Sequence, residues 1–105
     1  MPNFIQVLTT TPSKAHATEI AQHLLNRHLA GCVQISGPIT SSYWWEGKLE
    51  TAEEWYCIIK TTADRYAKVE AEIRATHKYE VPEILAFSVV VGSKDYLGWL
   101  AGTLK

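Results

Sequence analysis

Phe4-Ile5-Gln6-Val7-Leu8-Thr9-Thr10 is rich in β-branched and aromatic residues and stops short of Pro12, which predicts a first strand leading into a turn. A helix should follow. Ala17, Ile20, Ala21, Leu24, Leu25 and Leu29 recur at three- and four-residue spacing, with Ser13 placed to cap the start and Gly31 to close the end. Arg27 and His28 fall in its last turn, where positive charge suits the helix dipole. Val33, Ile35, Ile39, Tyr43 and Trp45 then alternate with Gln34, Ser36, Thr40 and Ser42, so a strand is expected, broken by a bulge or bend at Gly37-Pro38. Glu46-Gly47 supplies a tight turn, and Leu49 to Lys60 returns as the partner strand. A second helix is expected from Ala63 to Thr76, with Tyr66, Val69, Ile73 and Thr76 on one stripe. Ile84 to Val91 reads as a strand covered on both sides. Asp95 to Leu104 reads as a short helix carrying Tyr96, Leu97, Trp99 and Leu100 back onto the body. The order βαββαβ plus a terminal helix predicts an α+β, ferredoxin-like sandwich, two helices over a four-stranded antiparallel sheet.

The hairpin is too long for its domain. Arms of roughly 12 residues at about 3.3 Å each approach 40 Å, whereas a domain of this size has a radius of gyration of about 13 Å. Its projecting part carries Tyr43, Trp44, Trp45, Trp55, Tyr56, Cys57 and Ile58 on both faces, and an isolated two-stranded ribbon of that kind is marginal in water. An obligate oligomer is expected, with Tyr43, Trp44, Trp45 and Trp55 at its interface.

Composition narrows the function classes. The 105 residues suit one domain, 47% apolar and 20% charged residues suit a folded globular protein, and a net charge of −1 offers no field for a nucleic-acid backbone. No stretch is apolar enough for a membrane span. Met1-Pro2-Asn3-Phe4 runs directly into the first strand without a basic and then apolar leader, so the expected location is cytoplasmic, where Cys32 and Cys57 would be free thiols. No organic cofactor motif is evident.

The densest chemistry lies in His77-Lys78-Tyr79-Glu80-Val81-Pro82-Glu83, imidazole, ammonium, phenol and carboxylates held on a Pro-stiffened connection before the last strand. That run, together with Leu29-Ala30-Gly31-Cys32-Val33, Ser42-Tyr43-Trp44-Trp45-Glu46-Gly47-Lys48, Ile59-Lys60-Thr61-Thr62 and Asp95-Tyr96-Leu97-Gly98-Trp99-Leu100, resembles the CutA family of divalent-cation tolerance proteins over essentially the whole chain. The resemblance implies a ferredoxin-like subunit, a homotrimer built through the hairpin, and a link to divalent metal tolerance, copper above all. Cys32 is the matching family cysteine. Where some family members carry a further cysteine, at the end of the first strand, this chain has Thr9, which weighs against a multi-thiolate copper site.

Three candidate sites follow. Lys60, His77, Tyr79 and Glu83 are expected to converge on a ligand cleft, the competing reading being a structural ion-pair network. Cys32 and His77 are the metal candidates, a soft thiolate and an imidazole, against a small buried hydrophobe and a helix-capping cation. His16, Glu19 and His23 fall on one face of the first helix as a weaker surface metal set, against an ordinary solvated face. No nucleophile stands beside a base, so the chain is read as a binding protein rather than an enzyme. Besides metal binding, a trimeric small-molecule or anion sensor of the PII type and a non-catalytic scaffold stay open, both on fold analogy.

Overall fold

Strand β1 (Phe4–Thr11) holds the centre of a single sheet. In the computed structural model, which describes residues 3–104, β1 pairs antiparallel with β3 (Lys48–Thr62) from Phe4↔Thr62 to Thr11↔Trp55, and on its other edge with β4 (Ile84–Ser88). Strand β2 (Cys32–Trp45) pairs with the outer edge of β3, giving the order β2-β3-β1-β4 of a ferredoxin-like fold. The expectation placed on Met1 and Pro2 lies outside the described residues.

Alternation along the strands decides which face is covered. Ile5, Val7, Thr9 and Thr11 of β1 and Cys57, Ile59 and Thr61 of β3 are buried, and Ile5, Val7, Cys57 and Ile59 form one cluster with Ala17, Ile20 and Leu24 of helix α1 (Lys14–Asn26) and Val69 and Ile73 of helix α2 (Tyr66–Thr76). Two of the buried threonines are spent locally, while the Thr9 hydroxyl is buried without a hydrogen-bond partner among the described residues. Thr11 Oγ1 donates to Ser13 O at 2.8 Å and Thr61 Oγ1 to Leu29 O at 2.7 Å, so strand ends are tied to the ends of α1.

Helix α1 starts as expected, the Ser13 hydroxyl accepting from the His16 N–H at 3.1 Å. Its end differs. His28, not Gly31, takes the left-handed position (φ 55°); its N–H donates to Leu25 O and that of Leu29 to Leu24 O, the paired bonds of a Schellman ending. Gly31 has another duty, because a Cβ there would lie 2.6 Å from Leu100 Cδ1 and against Thr103 Oγ1 of helix α3 (Lys94–Thr103). Only glycine lets α3 dock this closely.

The hairpin turns at Glu46 (φ 49°) and Gly47 (φ 78°), both left-handed as a tight two-residue turn requires. A radius of gyration of 14.3 Å and extents of 45 × 26 × 22 Å record its projection. Two expectations are corrected. β4 ends at Ser88 rather than Val91, and it is not covered on both sides: Leu85 and Phe87 are exposed because both main helices lie on the opposite face of the sheet, and Val90 and Val91, beyond the strand, are exposed as well. Similarly α3 docks through Leu100 and Leu104, while Tyr96 and Trp99 stay exposed.

Gly31→Ala should therefore lower stability by about 1–3 kcal/mol, the cost of forcing a methyl into a filled space. Calorimetry on both proteins reads it. An unchanged melting temperature would show that α3 yields freely.

Candidate functional site

Helix α2 ends at His77, whose extended backbone (ψ 141°) turns the chain back toward the start of α1. Its Nε2 lies 2.8 Å from Thr10 O and its Nδ1 accepts from the Tyr79 N–H at 3.0 Å. A carbonyl can only accept, so Nε2 carries the proton and the ring is neutral. Burial lowers the His77 pKa, outweighing the Thr10 carbonyl that acts the other way. His16 packs edge-on against this ring at 5.1 Å and 87°, with its Nε2 accepting from the Lys78 N–H at 3.3 Å. Its pKa is lowered too, by burial first and then by His77 and Lys78. The Nδ1 of His16 is buried without a hydrogen-bond partner among the described residues; Glu19 Oε1 is 3.8 Å away.

Tyr79 continues the line. Its ring lies 5.0 Å from that of His77, and its hydroxyl donates to Glu54 Oε2 at 2.7 Å. Burial raises the Tyr79 pKa, reinforced by the bond to Glu54, so the phenol stays a donor. Glu54 forms part of a cleft of about 640 Å³ that also includes Ile39, Tyr43, Trp45, Tyr56, Tyr79 and Glu83.

The bulge creates this grouping. Up to Ser36↔Tyr56, even-numbered β2 residues face even-numbered β3 residues; after the irregularity between Ser36 and Ile39 the pairs are Ile39↔Glu54, Tyr43↔Glu50 and Trp45↔Lys48. One extra residue in β2 thus moves Ile39, Tyr43 and Trp45 to the side of Glu54 and Tyr56. Glu54 did not stand out in the sequence, and Tyr56 did so only as one of the hairpin's large apolar side chains. The available signal was a carboxylate in mid-strand, opposite a bulge whose exact register the sequence leaves open.

Not all the expected residues meet. Tyr79 and Glu83 share the cleft, and His77 supports Tyr79 from behind, but Lys60 lies elsewhere. It is in register with Cys32 and Gln6, while the row beside Glu83 runs Ile84, Thr9, Cys57, about 10 Å further along the strands. There the Lys60 ammonium sits 5.7 Å from the Tyr96 ring. Cys32 is half-buried in that same group, beside Tyr96; burial first and then the neighbouring Cys32 raise the Tyr96 pKa. Cys32 and His77 are therefore not one ligand set within the chain, since Thr10 O, which holds His77, lies in the register row of Tyr56, about 13 Å from that of Lys60. Cys57 is fully buried and burial pushes its thiol up to about 12.

The helix-face metal set is also corrected. His16 is buried rather than on the surface, and His23 Nε2 is taken by Glu72 Oε2 at 2.5 Å, which also lies 3.7 Å from Arg27 through its other oxygen. Among the described residues no three His, Cys, Asp or Glu side chains come together as a metal site. Trp55 leaves the interface set as well: it packs onto the subunit's own core, under Gly37 and 6.0 Å from the Lys14 ammonium. Tyr43, Trp44 and Trp45 remain exposed on the hairpin.

The family model for the CutA1 divalent ion tolerance protein matches residues 5–103. The chain belongs to this family. It is 43% identical to the divalent-cation tolerance protein CutA of Archaeoglobus fulgidus over 105 residues, all of both chains. Among solved CutA structures, that from Archaeoglobus fulgidus superposes with a TM-score of 0.92 over all of both chains, and CutA1 from Oryza sativa with 0.95 at 36% identity, over 99% of this chain and 95% of the other. The expected cytoplasmic location is overturned here, because the Archaeoglobus fulgidus CutA structure is of a protein described as periplasmic. Among the described residues no helix is long and apolar enough to cross a membrane.

The two neutral imidazoles make stability depend on pH. An unfolded histidine protonates near 6.5, so below that pH the unfolded chain binds more protons than the folded one. The contribution is present above about 6.5 and lost as pH falls below it. Melting temperature should drop between about pH 7 and 5, and less steeply in His77→Gln. Equal slopes in calorimetric scans would sink this assignment.

Proposed function

We propose that the chain works as a homotrimer in divalent-cation tolerance, as a binding protein rather than an enzyme, with copper as its cation and Cys32 as a soft ligand. The observation that carries the assembly is the open face of the sheet. Leu85 and Phe87 on β4, together with Tyr43, Trp44 and Trp45 on the hairpin, leave large apolar side chains in water, a pattern that marks an interface. Cys32 lies on this same open face, in the row Cys32, Lys60, Gln6, Phe87. A neighbour packed there could add the donors that one chain lacks, which is why the copper reading is tied to assembly.

His77 contributes less directly than the sequence suggested. With both ring nitrogens engaged it supports the cleft rather than offering a free ligand or base, which favours binding over catalysis. The anion-sensor alternative loses its carrier. Lys60 is outside the cleft, and the cleft brings together Glu54, Glu80 and Glu83.

Light scattering across a dilution series should return one mass near three times 11.8 kDa. A folded monomer at low micromolar concentration would overturn the assembly. Trp45→Glu should lower both the mass and the melting temperature. In the assembled protein, Cys32→Ser should weaken Cu(I) binding by about tenfold or more, because a hydroxyl is a poor soft-metal donor. Unchanged affinity removes Cys32 from the site.

A further inference from the structure

Glu54 is the least expected charge in the molecule. Its residue is 6% exposed and its carboxylate accepts one hydrogen bond, from Tyr79, yet among the described residues no cationic side chain pairs with it. A buried carboxylate without a counter-charge is costly unless something cationic reaches it. The cleft leaves room for that. The cleft is lined by the rings of Tyr43, Tyr56 and Tyr79, with Trp45 at its far end in the Lys48 row and Glu80 and Glu83 as further carboxylates, and no lysine, arginine or histidine is among the residues that form it.

The mixture of walls selects the kind of cation. A bare divalent metal needs several oxygen or sulfur donors within a tight shell, and although Glu54, Glu80 and Glu83 all line the cleft, among the described residues no three such side chains come together as a metal site. An organic ammonium ion, by contrast, is bulky, weakly hydrated and attracted to the faces of Trp and Tyr, with a carboxylate as counter-ion. A volume of about 640 Å³ is also in the range of small-molecule sites and far above what one metal ion fills. We propose that this cleft binds a small organic ammonium ion, with Glu54 as its counter-charge and Tyr43, Tyr56 and Tyr79 as its aromatic walls. Tyr79 holds Glu54 in place, and the neutral His77 behind it fixes the Tyr79 backbone. Tyr43 and Trp45 also belong to the hairpin proposed to pack in the trimer, so occupancy and assembly must be read separately.

Choline is the probe, titrated by calorimetry and by Trp fluorescence against its neutral isostere, in which carbon replaces the quaternary nitrogen. Choline should bind saturably and at least about tenfold tighter than the isostere. Glu54→Gln keeps the shape and can still accept from Tyr79, and it should weaken choline by about tenfold or more while leaving the light-scattering mass and copper binding unchanged. Equal binding of choline and isostere overturns the assignment, as does choline affinity untouched by Glu54→Gln in protein of normal mass. If Glu54→Gln does not fold, Glu83→Gln decides: a loss of about threefold or more supports the site, and no change rejects it. Because copper is followed in the same samples, loss of the copper reading would leave the ammonium result standing on its own.

Discussion

Two helices can cover one face of a four-stranded sheet, and the alternation of side chains along β1 and β3 decides which face they take. Ile5, Val7, Ile59, Ile20, Leu24, Val69 and Ile73 meet on that side, each large side chain removed from water contributing about 1.5–3 kcal/mol. The choice leaves the other face open. Its residues are not the polar set that a solvated antiparallel sheet normally shows. Leu85 and Phe87 are half-exposed there, so the packing of one subunit's core itself generates the surface on which the assembly reading depends.

At the end of the sheet nearest α1 the logic is polar. His16, His77, Tyr79 and Glu54 form a line from the first turn of a helix to the middle of the hairpin, each group oriented by the next. Neutral imidazoles suit this place, since burial penalises their charged form. The cleft is accordingly rigid at its base, where backbone atoms of Thr10, Lys78 and Tyr79 hold the rings, and open at its rim, where Glu80 and Val81 are exposed.

Much of the architecture could be read before the fold was known, because it rests on local periods. The stripe Ala17, Ile20, Leu24 and the alternation of Val33 and Ile35 place α1 and β2 correctly. What local patterns could not show was cover. Ile84 to Val91 looks like a buried strand because its residues are apolar, but apolar residues are equally demanded by a partner subunit and by a core. Site residues were legible where they sat in one continuous run, as Tyr79 and Glu83 do. Lys60 was misplaced because its position depends on register, and three residues of strand carry it to the opposite group around Cys32 and Tyr96. Likewise His16 reads as a surface donor from helical spacing, yet the return of the chain after α2 buries it.

The extra residue near Gly37 makes the hairpin a device for shifting phase. Below it, β2 follows the parity set by the core; beyond it, the outer arm runs half a period out of step with its own base. The two stretches are thus free to vary on different grounds, the base under the demands of the helices and the outer arm under those of whatever meets the cleft. Deleting a single residue there would restore the common parity and send Trp44 and Ser42 inward in place of Trp45 and Tyr43, so that an indel, without altering any aromatic, exchanges the lining of the cleft for the back of the ribbon.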